Sequence, residues 1–150
     1  MPITESKFIS DAVFYVKNDL DSNITDPISA KRQNNEDFVM TAYPKELVNY
    51  PIITIRTPGM RVERAGMQTT AVDIPIQIEV RIWARNVKER DEVSQDTINR
   101  LKNIQFTAST GSAASGLHNF KILSIVDINE DGDNTPKSRI INVEYTMYLP

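Results

Sequence analysis

The chain has 150 residues, of which 40% are hydrophobic and 25% charged, and a formal net charge of −3. This length and balance fit one soluble globular domain, spanning residues 1–150, with a core of its own. The acidic balance argues against a general nucleic-acid binder, and the absence of cysteine excludes disulfides, thiolate catalysis and cysteine-bound zinc. With no apolar run of about 18 residues and no signal-peptide pattern in residues 1–6, we expect neither a membrane span nor a signal peptide.

Helical periodicity marks the first element. Apolar residues recur at helical spacing over residues 5–20, which predicts an amphipathic helix with Thr4 as its cap. Asp26-Pro27 then favours a turn. A short strand is expected within residues 38–43, and another over residues 52–56.

The longest periodic segment is residues 72–83, where β-branched residues alternate with mostly polar ones. Its apolar members are Val72, Ile74, Ile76, Ile78, Val80 and Ile82. Period-two alternation predicts a strand with one buried face and one polar face, and at this length it exceeds most strands of ordinary domains. Pro75 has no N–H to donate, so we expect an edge or a bulge at that point.

Two turn signals precede the long strand and predict a hairpin with an extended, mobile arm over residues 57–70. They are Thr57-Pro58-Gly59 and Ala65-Gly66. The arm has too few apolar groups for a core, yet more than a solvated loop needs. Methionine adapts to a partner surface and arginine pairs across it, so we predict subunit or tube contact through Met60, Arg61, Val62, Arg64 and Met67.

A second helix follows the long strand. Asn86 and Glu89 have the spacing of a capping box, which predicts a helix from Asn86 to about residue 102. Its apolar stripe consists of Val93, Thr97, Ile98, Leu101 and Ile104. Residues 107–116 are Thr, Ala, Ser and Gly, a composition that predicts flexibility.

Alternation returns in residues 120–128 and 141–149, and predicts a terminal hairpin around a turn at 129–134. The order of elements predicts an α+β fold. In that fold a mainly antiparallel β-sheet carries two amphipathic helices packed on one face and a long β-hairpin arm.

Candidate catalytic and metal sites are weak. Ser115, His118 and Asp127 formally permit a catalytic triad, but the glycine turn of a nucleophile elbow is missing, which favours a plain loop histidine. Residues 127–132 resemble the start of a calcium loop, but Ser138 stands where the bidentate Glu belongs, which favours an acidic hairpin turn. The glycines form no phosphate-binding pattern. We therefore expect no catalytic residue, no cofactor and no metal.

The polar face of the long strand carries Arg81 and Trp83. Several arginines lie on this face and in the arm. They could form a phosphate-binding patch, or they could form ion pairs within or between subunits. Glu63, Asp73 and Glu79 are interspersed, which favours ion pairs and an interface. An aromatic residue on a polar sheet face predicts either a second contact surface, which would include Arg81 and Trp83, or a two-sided sheet with Trp83 under a helix.

The order of these features resembles the tail terminator (tail completion) proteins of long-tailed phages. The features that carry it are the first amphipathic helix, Ile-Thr-Asp-Pro at 24–27, Tyr-Pro-Ile-Ile-Thr-Ile at 50–55, the strand ending Val-Arg-Ile-Trp-Ala-Arg at 80–85, and the helix at 86–104 with Lys-Glu-Arg-Asp near its start. The resemblance lies in the order of these features, which together span most of the chain.

The resemblance implies a homo-oligomeric ring, typically a hexamer, in the virion at the head-proximal end of the tail, assembled in the host cytoplasm. Such a ring stops growth of the tail tube protein and offers a docking surface to the head–tail connector protein, while DNA passes through its lumen without specific binding. Another phage neck, head–tail connector or tail-tube protein is the alternative. A small hydrolase or metal-dependent enzyme and a calcium-modulated binding module are the rivals from other classes.

Overall fold

The computed structural model describes residues 8–32, 36–43, 49–67, 70–106, 117–128 and 136–149. Within them the chain has the predicted α+β fold, with two helices and a six-stranded, mainly antiparallel sheet. The helices are α1 (Phe8–Asn23) and α2 (Val87–Phe106), and the strands are β1 (Val39–Met40), β2 (Ile52–Met60), β3 (Glu63–Arg64), β4 (Val72–Ala84), β5 (Leu117–Ile128) and β6 (Lys137–Leu149). Neither helix combines the length and the apolar character that crossing a bilayer requires, as far as the described residues go.

The sheet has the strand order β1-β2-β4-β6-β5, and β3 extends the β2 side of the sheet along the start of β4. Strands β1 and β2 are parallel, whereas all other neighbours are antiparallel. Strand β4 pairs with β6 over its whole length, from Val72 opposite Leu149 to Ala84 opposite Lys137. The predicted long strand is thus a central strand, and β1 and β5 are the edges of the described sheet.

One face of the sheet forms the core, as the alternation in β4 and β6 predicted. Directly opposite residues of antiparallel strands share a face, so even-numbered residues of β4 lie beside odd-numbered residues of β6. The buried side chains there are Ile53, Ile55, Ile74, Ile76, Ile78, Val80, Ile82, Ile141, Val143, Tyr145 and Met147. Both helices pack on this face, through Ala12, Val16 and Leu20 of α1 and Val93 and Leu101 of α2. Each isoleucine so buried contributes about 1.5–3 kcal/mol of transfer free energy.

Pro75 does not lie at an edge, so that expectation is wrong. It is buried in β4 and pairs with Thr146 of β6 on one side. On the other side its carbonyl accepts a hydrogen bond from the Arg61 N–H at 3.2 Å, at the gap between β2 and β3. Since the N–H and C=O of an antiparallel residue face the same neighbour, the missing proline donor falls where the ladder is already interrupted.

The turn predicted at residues 57–59 is also wrong, because these residues lie within β2. The ladder to β4 shifts there by one residue, from Arg56 opposite Glu79 to Gly59 opposite Gln77. A bulge leaves residues out of the ladder, which suits Pro58 because it has no N–H. The arm predicted to be mobile is therefore mostly paired, and the hairpin closes at the Ala65 N–H, which donates to the Ala71 carbonyl at 3.0 Å.

The alternation predicted for residues 120–128 does not persist along β5. Ile122 pairs with Val143 on the core side, but the register shifts before Ser124, which pairs with Asn142 on the other side. A one-residue shift moves every later side chain to the opposite face. After the shift, Val126 lies opposite Ile140 on the face away from the helices, whereas Ile125 lies opposite Ile141 on the core side. Leu123, Ile125 and Val126 are all nearly half exposed on this edge strand.

The helix starts follow local signals. The side-chain oxygen of Asn86 accepts a hydrogen bond from the Glu89 N–H at 2.9 Å, which confirms the predicted cap, and α2 continues past the expected end to Phe106. The Glu89 carboxylate accepts from the Arg85 N–H at 3.1 Å, one residue earlier than a capping box requires. The Asp26 side chain accepts from the Ile28 N–H at 3.0 Å, as expected of a turn. The predicted Thr4 cap, the 107–116 linker and the 129–134 turn lie outside the described residues.

Candidate functional site

The predicted interface residues fall into two groups at opposite ends of β4. The first group is the hairpin end, residues 60–67, which lies beside Pro75. The second is Arg81 and Trp83 on the face of the sheet away from the helices, here called the open face. Pro75 and Trp83 are eight residues apart in the strand, which corresponds to about 26 Å at the usual rise per residue. The two groups are therefore separate surfaces.

The hairpin end presents apolar side chains to solvent. Val62 is 68% exposed and Met67 is 94% exposed, whereas Met60 is half-buried and packs against the core. Arg61 and Arg64 are exposed between them. Val62 and Met67 are thus accessible to a partner surface, and the interface role of this segment stays a prediction.

Arg56 on the open face and Arg61 at the hairpin end pair with acidic residues within the subunit. Arg56 donates from Nε and Nη2 to the two carboxylate oxygens of Glu79, each at 2.9 Å. The Glu79 side chain is only 11% exposed, and its hydrogen bonds raise the pKa of Arg56. Arg61 lies 3.3 Å from a carboxylate oxygen of Glu63 and 3.9 Å from one of the buried Glu144. These pairs are the intrasubunit neutralisation that the interspersed acidic residues predicted.

Arg81 differs from these neighbours. Its guanidinium carbon lies over the indole of Trp83, 3.8 Å from the ring centroid, and its Nη2 donates to the Ser138 hydroxyl at 3.0 Å. Its Nε is buried without a hydrogen-bond partner, and no ion pair to Arg81 is found among the described residues. A guanidinium has five N–H donors, so Arg81 retains donors for an anionic group.

Trp83 is held on the open face by contacts other than a helix. Its Nε1 donates to the Thr54 hydroxyl at 3.1 Å, and its ring lies 4.8 Å from the Tyr43 ring at an interplanar angle of 58°. The Tyr43 hydroxyl is hydrogen-bonded to that of Tyr50. Burial, together with this hydrogen bond, raises the pKa of Tyr50 to about 12. Tyr50 therefore stays neutral at physiological pH. The alternative of Trp83 under a helix is not what the described residues show.

These side chains line a cavity of about 300 Å³, here called the open-face pocket. Its floor comes from β2 and β4, and its wall comes from residues 41–43. The lining includes Tyr43, Thr54, Arg56, Glu79, Arg81 and Trp83. Sequence reasoning selected Arg81 and Trp83 but missed Tyr43 and Ser138, because only the strand order brings these residues together and no local pattern marks them.

The described residues add no support for the catalytic triad or the calcium loop considered from the sequence. The Asp127 carboxylate pairs with Arg139 at 2.5 Å and with Arg90 at 3.4 Å. The hydrogen bond from Arg139 lowers the pKa of Asp127. Ser115, the side chain of His118 and residues 129–135 lie outside the described part. Within that part, no three His, Asp or Glu side chains are grouped as metal ligands would be.

No protein-family model matches the chain, and no curated protein matches it.

Proposed function

We propose that the protein is a structural virion protein, a tail terminator of a long-tailed phage. In this role it forms a homo-oligomeric ring, a hexamer as is typical of that family, on the head-proximal end of the tail tube. The ring stops polymerisation of the tail tube protein and provides the docking surface for the head–tail connector. DNA passes through the lumen without specific binding.

One observation carries the proposal beyond the resemblance in sequence. The described helices cover one face of the sheet, while the open-face pocket and the hairpin end remain exposed at opposite ends of β4. A cyclic ring needs two different surfaces on each subunit that complement one another. The hairpin end exposes apolar side chains, and the open-face pocket exposes aromatic and arginine side chains. Both kinds of residue are typical of protein interfaces.

The primary test removes the gene from a phage that carries this chain and measures tail length by electron microscopy. We expect heads without joined tails, and tails of uncontrolled length, because nothing then caps the tube. Particles without any tail would instead identify a tail-tube protein. Normal tails joined to heads would contradict both roles.

A second test addresses the hairpin end. The double substitution of Val62→Asp and Met67→Asp places charges on two exposed side chains, so the fold should persist in circular dichroism while the particles show the tail defect. Val87→Asp is the matched control, because Val87 is a half-exposed valine at the start of α2. If the double variant supported normal tail length and infectivity, the hairpin end would have no role in assembly.

A further inference from the structure

The open-face pocket has an unbalanced positive charge. Arg56 and Glu79 neutralise one another through two hydrogen bonds, which leaves the Arg81 guanidinium with a hydroxyl and an aromatic face as its described partners. Its Nε is buried without an acceptor. Leaving a buried donor unsatisfied is unfavourable, and a carboxylate is the acceptor that a guanidinium binds best.

The pocket selects a carboxylate on a side chain over a phosphate. A single negative charge balances Arg81, whereas a dianion would bring a second negative charge that no other described cation of the pocket is free to balance, because Arg56 already pairs with Glu79. The rings of Tyr43 and Trp83 form apolar walls, which suit the aliphatic stem of an aspartate or glutamate. The site therefore fits an acidic side chain of a polypeptide.

The opposite side of the same molecule offers such groups. Asp96 on the outer surface of α2 and Asp21 at the end of α1 are exposed, and neither has an ion pair or hydrogen bond among the described residues. Asp96 also borders the two polar depressions between α2 and the 23–27 segment. The helix layer is thus open to a basic group at that point.

We propose that the open-face pocket binds an acidic side chain, Asp96 foremost, from the helix layer of a second copy of this chain. The contact joins two different surfaces, so it is head-to-tail and repeats around a ring. This inference rests on the ring assembly proposed above and names the contact that would close it. It also requires the free protein to associate in solution without other phage components.

The test uses Trp83, the single tryptophan of the chain, as a reporter of pocket coverage. Light scattering measures the mass across protein concentration, and acrylamide quenching measures the accessibility of Trp83 in the same samples. We expect a defined oligomer in which Trp83 is protected. Arg81→Glu and Asp96→Lys should each raise the dissociation constant by about thirtyfold or more, as loss of an interfacial charge pair does.

The decisive measurement mixes these two variants. The reversed sheet face of one complements the reversed helix face of the other, so an equal mixture should recover the wild-type mass and the protection of Trp83. Lys31→Glu, a charge reversal at an exposed residue of the single 3₁₀ turn Ser29–Lys31 between α1 and β1, is the control and should behave as wild type. Circular dichroism checks each fold. If Arg81→Glu unfolds, Arg81→Gln replaces it in the measurement of the dissociation constant alone, because a neutral side chain cannot complement Asp96→Lys. An unchanged dissociation constant in Arg81→Gln then overturns the contact.

The outcomes separate this contact from the proposed function. An oligomer in which Trp83 is quenched as readily as in the monomer, or a mixture that stays dissociated, overturns the contact and leaves the ring intact. A chain that stays monomeric at every concentration also overturns the contact. The tail-length measurement on the gene deletion then decides the proposed function independently.

Discussion

The two faces of β4 differ in how their side chains are covered. On the helix side, Ile76, Ile78 and Ile82 are completely buried under α1 and α2. On the open face, Arg81 and Trp83 are only partly covered, by each other and by neighbouring polar groups. At these positions, complete and partial burial therefore alternate with residue parity along one strand, so substitutions on the two faces should differ in their effect on stability.

The largest effect should come from a charge on the buried face. Ile78→Asp places a carboxylate among completely buried aliphatic side chains, without a partner that compensates its desolvation. We expect a loss of several kcal/mol in the free energy of unfolding, and insoluble protein. Expression in the soluble fraction and a thermal melt provide the measurement.

Gln77→Lys is the control for this prediction, because Gln77 is the adjacent residue on the open face, is partly exposed, and lies opposite Glu144, whose carboxylate can pair with the introduced charge. It should remain soluble and change the stability by less than about 1 kcal/mol. Equal effects at the two positions would mean that the faces do not differ as described.

Within the open face, the pair formed by Arg56 and Glu79 should give a smaller effect. Arg56→Met removes both hydrogen bonds to the Glu79 carboxylate, which is mostly buried. Because the Arg56 side chain is itself two-thirds exposed, we expect a loss of only about 1 kcal/mol. Urea unfolding measures it. Arg56→Lys should recover part of the loss. If Arg56→Met left the free energy of unfolding unchanged, the pair would contribute nothing to stability.

The hydrogen bond from Trp83 to the Thr54 hydroxyl should contribute still less to stability. Trp83→Phe keeps a ring beside Tyr43 but loses the hydrogen bond to the Thr54 hydroxyl, so we expect a loss of about 0.5–1 kcal/mol. Urea unfolding of this variant, of Thr54→Val and of the double variant forms a mutant cycle. Strict additivity in that cycle would contradict a direct interaction.

The smallest effect at neutral pH should come from an ion pair on the helix side of the sheet, between β5 and β6. This part of the helix side is charged rather than apolar. There Asp127 pairs with Arg139, and that hydrogen bond lowers the pKa of Asp127 below its ordinary 3.8. The stabilisation is complete above that value and is lost as the pH falls through the lower folded-state pKa.

We therefore expect Asp127→Asn to reduce the acid sensitivity of the fold. Urea unfolding at pH 6 and at pH 3 should show a smaller difference in the variant than in the wild type. Asp37→Asn, at an exposed carboxylate, serves as the control. An unchanged difference in the Asp127 variant would mean that the pair adds nothing to stability.

Local patterns predicted the parts of the fold that depend on nearby residues. The alternation from Ile74 to Ile82 identified the buried face of β4 because strand geometry fixes it every second residue, and Asn86 identified the start of α2 because a cap acts on the next turn. Both signals are complete within a few residues. The interface roles given to the hairpin residues and to Trp83 stay predictions.

The errors arose where distant strands decide the conformation. Residues 57–59 have the composition of a turn, but the pairing of β2 with β4 makes the segment a bulge. The register shift after Ile122 depends on how β5 lies against β6. The contact of Arg81 with Ser138 joins residues 57 positions apart. Such features depend on the assembled sheet, so no short window of sequence contains them.

The register shift in β5 has a consequence for solubility. An edge strand of twelve residues with Leu123, Ile125 and Val126 nearly half exposed is a template on which other chains add strands and aggregate. A bulge interrupts the regular spacing of donors and acceptors that an added strand needs and twists the edge away from flatness. The irregularity between Ile122 and Ser124 thus opposes the addition of strands along this edge. We expect that deletion of one residue there would remove one of the two irregularities of β5 and favour aggregation.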